Sequence, residues 1–278
     1  MLSSLSSELV IVFGSGNGML NLIDRSWRIL ATAIAFTTFG IGGLLLRLLA
    51  FPLLQLCVRD RSRQIACSRL TIQRSFQLFI KLMRLIGILR YDIEGIDRLR
   101  RQGQLVLANH PTLLDVVFLV SLVPNANCVV KASLARNPFM RGPIRAAGYI
   151  CNNSGAGLID DCIASVKAGD NLIIFPEGTR TPANGKLQLQ RGAANIAVRG
   201  ELDMTLVTIN CRPRSLTKGL PWWQVPPRRM HFTICAKKDL TVAPFLQDAN
   251  GEASIAARRL TTHLHQYFTM EHERHAGA

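Results

Sequence analysis

The chain has 278 residues, a formal charge of +15 at neutral pH and a hydrophobic fraction of 48%, room for one large domain, or a domain and an appendage, with ample material for a core. So basic a chain, with a pI near 10.3, suits nucleic acid or an anionic membrane surface, and a mean hydropathy of +0.19 weighs against nucleic acid because long apolar segments coexist with the charge. The cysteines Cys57, Cys67, Cys128, Cys151, Cys162, Cys211 and Cys235 form neither C-x-x-C pairs nor a spaced framework. That excludes a disulfide scaffold and predicts reduced, mostly buried thiols in a cytoplasmic domain.

Residues 1–24 are polar to mildly apolar, with a glycine-rich turn at Gly14–Gly18 and no basic region followed by a small-residue cleavage site, so no cleaved signal peptide is expected. The uncharged stretch from Ile29 to Leu46 would make a helix of about 27 Å, just enough for a hydrocarbon core; whether it spans or dips in and returns stays open. After Arg47 the chain is apolar through Leu56, with Pro52 as an expected break, and then turns basic at Arg59, Arg61, Arg63, Arg69, Arg74, Lys81 and Arg84. Between those charges Ile65, Leu70, Ile72, Phe76, Phe79, Ile80, Met83 and Ile86 recur at helical spacing. They describe a basic amphipathic helix suited to an anionic interface, the alternative being a core-facing helix with a solvated basic face. The positive flank places this side in the cytoplasm.

From about Tyr91 short apolar runs alternate with helical segments, the mark of an α/β domain. Strands are expected at 104–108, 128–131, 149–151, 172–175, 205–209 and 231–236, and helices at 111–122, 159–168, 192–199 and 252–273, with Gly169 and Gly200 as helix stops. The segment from Pro213 to Pro227 is the least regular, and its Trp222 and Trp223 suit either a membrane interface or a buried loop anchor. His231, His263, His265, His272 and His275 fit no ligand spacing, so no metal is expected.

Two short motifs carry the chemistry. Asn109-His110-Pro111-Thr112-Leu113-Leu114-Asp115 follows one apolar run, and Phe175-Pro176-Glu177-Gly178-Thr179-Arg180 follows another. A histidine at the carboxyl end of a strand sits where open α/β sheets bind ligands, and Asp115 in the next helix can accept from one ring nitrogen, leaving the other to take a proton. With no activated serine or cysteine evident beside it, the simplest role for His110 is to deprotonate a hydroxyl that attacks an acyl carbonyl directly. The second motif adds a carboxylate, a glycine and an arginine suited to a polar or anionic acceptor.

The two blocks in this order, N-H-x-x-x-x-D and F-P-E-G-T-R, resemble those of the glycerolipid acyltransferase family, specifically the bacterial 1-acyl-glycerol-3-phosphate acyltransferases, over roughly Ile93 to Pro213. The resemblance implies transfer of a fatty acyl chain from an acyl-CoA or acyl-carrier-protein thioester to a lipid hydroxyl, with no cofactor beyond that donor. By it, His110 is the general base, Asp115 its partner, and Asn109, Glu177, Gly178, Thr179 and Arg180 belong to the substrate site; Arg191, just before the next expected helix, is a further candidate there, a cation placed to offset part of a lost phosphate contact. It also implies an N-terminal helical membrane-docking element. Two departures stand out. Where the family's second block has an arginine thought to bind the acceptor phosphate, Gly148–Asn153 ends in Asn153, which is expected to weaken phosphate binding; and Thr205–Ile209 lacks the usual Val-Pro-Val run.

The expected protein is therefore an α/β enzyme with a mostly parallel central sheet flanked by helices (residues 91–278), preceded by membrane-anchoring helices (residues 1–90). It would lie at the inner membrane facing the cytoplasm, with membrane lipids and an acyl-CoA or acyl carrier protein as partners and no nucleic acid. Its acceptor would be a lysophospholipid or, alternatively, a non-phosphate lipid such as an amino-acid lipid or a hydroxylated secondary metabolite. Catalytically silent membrane adaptors and nucleic-acid binders of this charge leave the paired motifs unexplained.

Overall fold

The structure is a computed structural model that describes residues 5–137, 140–152, 157–182, 187–219, 221 and 224–276, with side chains from residue 22 to residue 274. Seven strands form one sheet: β1 (Leu89–Glu94), β2 (Leu105–Ala108), β3 (Ala126–Val130), β4 (Ile150–Cys151), β5 (Asn171–Ile174), β6 (Met204–Arg212) and β7 (Met230–Ala236). Their order is β1-β7-β6-β2-β5-β3-β4. Every pairing is parallel except β6 with β7, so the sheet is mostly parallel, as its near-continuous apolar runs predict.

Alternation along the strands sorts the core into two halves. Val106 and Ala108 of β2, Ile173 of β5, and Val207, Ile209 and Cys211 of β6 face one cluster. Leu105 and Leu107, Leu172 and Ile174, and Met204 and Leu206 face the other. The first half is covered by α3 (Arg61–Leu85) and α4 (Asp115–Leu122), through Ile72, Ile80 and Met83 and through Val117, Phe118 and Leu119. Phe118 wedges between Tyr91 and Phe232, at ring distances of 5.6 and 4.7 Å. The second half is covered by α7 (Leu158–Lys167), α8 (Gly192–Gly200) and α10 (Ala253–Ala276). Each large side chain closed off this way contributes about 1.5–3 kcal/mol.

The expected strands and helices are present with ends shifted by one to a few residues. The largest shift is in α4, which begins at Asp115 rather than at Pro111, because Thr112 and Asp115 form a hydrogen-bonded turn ahead of it. Elements not anticipated are β1, a 3-10 turn at Ile96–Arg100, the short helices α5 (Ala132–Arg136) and α6 (Arg141–Ala146), and α9 (Ala243–Gln247). Gly169 ends its helix with φ 96°, as expected, whereas the left-handed cap after α8 falls to Glu201 (φ 53°). Gly200 is instead a close-packing position, where a Cβ would meet Leu202 and Ile163 at 2.9 and 3.1 Å.

The N-terminal region departs from expectation at Gly14–Gly18, which lies inside a helix rather than at a turn, and at Pro52. Helix α1 (Leu5–Leu45) passes through a π-helical turn at Leu46–Ala50 straight into α2 (Phe51–Cys57), and Pro52 sits in the first turn of α2. A proline is tolerated there because the wide turn before it accommodates the missing backbone donor. The result, over Leu22–Cys57, is one apolar helix long enough to cross a membrane by length and composition. Only part of one side touches the rest of the protein. Ala31, Ala35 and Phe51 are buried, Phe39 packs on Phe76 and Phe79, and Leu22, Ile23, Leu30, Ile41, Leu45, Leu48, Leu49, Leu53 and Leu56 are exposed.

Helix α3 starts at Asp60, whose carboxylate accepts from the Arg63 amide at 2.8 Å. Its apolar stripe faces the core. One of its cations, Arg69, is buried and not at an interface: it donates to the Ala147 carbonyl (2.9 Å), Asn125 (3.0 Å) and Asp170 (2.6 Å). Arg59, Arg61, Arg63 and Arg74 are exposed.

Candidate active site

Strand β2 ends at Ala108, and the chain turns sharply through Asn109 and His110. Asn109 holds the turn to β6: its amide nitrogen donates to the Ile209 carbonyl at 2.8 Å and its amide oxygen accepts from the Ile209 N–H at 2.7 Å. Both amide atoms, expected to meet substrate, are thus joined to backbone.

His110 Nδ1 lies 2.9 Å from Asp115 Oδ2. Asp115 is fully buried and takes two further donors from Thr112, the backbone N–H to Oδ2 at 2.6 Å and Oγ1–H to Oδ1 at 2.6 Å. Burial pushes the Asp115 carboxyl up, and the hydrogen bonds from His110 and Thr112 oppose that rise. Both carboxylate oxygens accept, so the contact to the ring is a donation from Nδ1–H, which leaves Nε2 as the acceptor. The Phe175 ring stacks on the imidazole at 4.3 Å, 27° from parallel, and fixes its plane.

The second motif braces the first. Glu177 is only 5% exposed; its Oε1 accepts from the His110 N–H at 2.9 Å and from Thr181 Oγ1 at 2.9 Å, while the Thr181 N–H donates to the His110 carbonyl at 2.7 Å. The peptide groups on both sides of the histidine are therefore clamped by residues 177–181. Burial pushes the Glu177 carboxyl up, opposed by these donors, and its Oε2 has no partner among the described residues. The turn depends on Gly178, at φ 64°, a conformation that strains a residue with a Cβ. Arg180 Nη1 donates to the carbonyls of Leu216 (3.0 Å) and Thr217 (3.2 Å), and the Leu113 N–H also reaches Leu216, at 3.1 Å. The loop after β6 is thereby tied over the site.

These groups open onto a cavity of about 800 Å³. Its walls include His110, Gly178, Thr179 and Arg180 at the strand ends, Phe76, Phe79 and Met83 of α3, and Arg28, Phe36 and Phe39 of α1. The lining is overwhelmingly apolar. Arg191 is exposed, at the start of α8, and does not line the cavity, although Gln190 and Gly192 do. Asn153, Trp222, Trp223 and Pro138–Phe139 lie outside the described residues. No cluster of three or more metal-ligating side chains occurs among the described residues. Cys211 approaches the site but is no nucleophile, because burial and then the Asp115 charge push its thiol up to about 12.

Sequence reasoning missed Thr112, Phe175, Thr181 and the α1 wall. A signal existed for Thr112: Thr-x-x-Asp ahead of an apolar run is a capping box, in which the hydroxyl residue and the carboxylate bond reciprocally. Nothing in α1 foretold which of its residues turn inward.

Residues 90–212 match a protein-family model described as Acyltransferase. A 1-acyl-sn-glycerol-3-phosphate acyltransferase of Pseudomonas aeruginosa is 26% identical over 51% of this chain and 58% of its own length. A lyso-ornithine lipid O-acyltransferase of the same species is 30% identical over 42% of this chain and 49% of its own. The chain thus spans about half the length of these curated relatives. The crystal structure of the 1-acyl-sn-glycerophosphate (LPA) acyltransferase PlsC from Thermotoga maritima matches with a TM-score of 0.62 at 20% identity, covering 88% of this chain and 97% of that one, so the two share a fold. The matched stretch runs from the first strand through β6 and encloses both motifs and every hydrogen bond made by His110, so the likeness to acyltransferases falls on the residues that build this site.

Proposed function

We propose that the protein is a membrane-bound O-acyltransferase that moves a fatty acyl chain from an acyl-CoA or acyl-carrier-protein thioester to the hydroxyl of a lysophospholipid. One observation carries this reading: an imidazole held by a buried carboxylate lies on the wall of a large, mostly apolar cavity. In the proposed reaction His110 Nε2 takes the acceptor hydroxyl proton as the oxygen attacks the thioester carbonyl. The tetrahedral intermediate collapses, the C–S bond breaks, and the proton passes to the departing thiolate, so the imidazole ends neutral. Asp115 stabilises the transient imidazolium, and Glu177 and Phe175 hold the ring where it must be.

The long apolar helix and the exposed arginines near the start of α3 support attachment to an anionic membrane, with the domain on the cytoplasmic side. The deciding experiment is an assay of the purified protein against a panel of lysolipids with both thioester donors. Absence of acyl transfer with every pair would sink the reading.

A second reading, a non-phosphate acceptor such as an amino-acid lipid, is favoured by Asn153 in place of a phosphate-binding arginine and by the lyso-ornithine lipid relative. Loss of one charged contact of about 1.5–3 kcal/mol weakens phosphate binding by one to two orders of magnitude. On this reading lysophosphatidic acid is a secondary substrate and Asn153→Arg raises kcat/KM toward it. High efficiency in the unmodified protein, unmoved by that substitution, restores the phosphate acceptor.

A further inference from the structure

Arg28 lies on α1, just before the long apolar stretch that begins at Ile29, yet it is only 7% exposed. It lines the same cavity as His110. Among the described residues its one ion-pair partner is Asp24, a turn earlier on the same helix, at 2.6 Å from Nη1, and Asp24 is itself half in solvent. Arg28 Nε is buried with no hydrogen-bond partner among the described residues. A guanidinium withdrawn from water with a donor left unmatched is unfavourable unless something with negative charge completes it, and an ionisable side chain turned inward from a membrane-type helix marks a ligand site.

The rest of the lining is consistent with that. Lys131, Arg180 and Arg228 also reach the cavity, and among the described residues no carboxylate does. An apolar cavity with four cationic side chains and no acidic one concentrates positive potential on whatever enters. Arg180 has one nitrogen engaged by the loop carbonyls, which leaves the remainder of its fork for the same anion.

We infer that Arg28 binds the anionic group of the acyl acceptor, a phosphate or a carboxylate, so that the N-terminal helix completes the acceptor site as well as attaching the protein to the bilayer. The inference rests on the acyltransferase reading for the name of the ligand and on Arg28 alone for the site. A planar guanidinium suits either oxyanion through paired N–H donors.

The test is equilibrium binding of three lipids to the full-length protein in neutral vesicles, unmodified or carrying Arg28→Gln or Arg28→Lys. The lipids are lysophosphatidic acid, lyso-ornithine lipid and monoacylglycerol, which present a phosphate, a carboxylate and no anion. Arg28→Gln is expected to weaken one or both anionic lipids about ten- to hundredfold and leave monoacylglycerol unchanged; which anion responds names the headgroup. Arg28→Lys keeps the charge without the fork and is expected to give a smaller loss, and it carries the comparison if Arg28→Gln does not fold. Equal weakening of all three lipids, no weakening of either anionic one, or weakening of the thioester donor instead overturns the inference. Arg28-dependent binding by a protein that acylates none of the three would overturn the transfer chemistry and leave the anion site standing.

Discussion

The strand edge around His110 and the helix at the amino terminus are held by opposite means. At the strand edge nearly every polar atom is tied down: Asn109 to Ile209, His110 to Asp115 and Glu177, Thr181 back to His110. Those bonds fix direction as well as position, and one lost donor leaves a buried acceptor unpaired. The N-terminal helix is held to the domain mainly through small and aromatic side chains such as Ala31, Ala35, Phe39 and Phe51, contacts that are individually weak and indifferent to direction, with one directional bond beside them, from Trp27 Nε1–H to the Ile86 carbonyl at 3.0 Å. Attachment of the first kind aims a side chain in one direction, and attachment of the second kind leaves a wall able to adjust.

The sharpest way to break this contrast is at the base. His110→Ala is expected to lower kcat by about a hundredfold or more while donor affinity hardly changes; near wild-type turnover in a purified assay would mean the tight edge serves something other than proton transfer. Next comes Asp170, which lies far from the site. Asp170→Asn strands the buried Arg69 (side chain 4% exposed) and is expected to cost about 3 kcal/mol in urea melts at neutral pH. Burial pushes the Asp170 carboxyl up, but the bonds from Arg69, Ser165 and Asn125 outweigh that and hold it below its ordinary value of 3.8. Its stabilisation is therefore complete above that value and is lost as the pH falls through the lowered one, and the asparagine variant should lack this acid limb of the stability curve.

Thr112→Val keeps the shape and the backbone donor but removes the Oγ1 bond to Asp115. About tenfold in kcat with little change in KM is expected, and an unchanged kcat would show that the backbone donor alone aligns the carboxylate. The mildest test addresses the loosely held side: the intact protein should stay with membranes through alkaline carbonate washing, and removal of residues 1–58 should weaken that retention. Complete extraction of the intact protein would count against an apolar anchor.

The same contrast explains what could be read in the sequence. The apolar runs at 104–108, 172–175 and 205–209 announced buried parallel strands because both faces are covered, and the motifs at 109–115 and 175–180 followed at once as the strand ends. Strand β1 was overlooked although Leu89, Tyr91 and Ile93 alternate with charged residues, since an edge strand with one solvated face carries a weaker signal. Helical periodicity showed that α3 has an apolar stripe but not whether lipid or protein covers it, and it could not separate Arg69, which is buried, from Arg63 and Arg74, which are exposed. Local spacing likewise said nothing of Glu177 reaching the His110 backbone, because that contact spans 67 residues of chain.

The cavity that touches both His110 and α1 has a practical consequence at the bench. A surfactant tail is as apolar as most of the lining of this space, and dissolving the protein in detergent surrounds its apolar helix with such tails. Detergent is therefore expected to compete for the cavity in the assays proposed above, and its tail length is a variable to be titrated alongside the lipids.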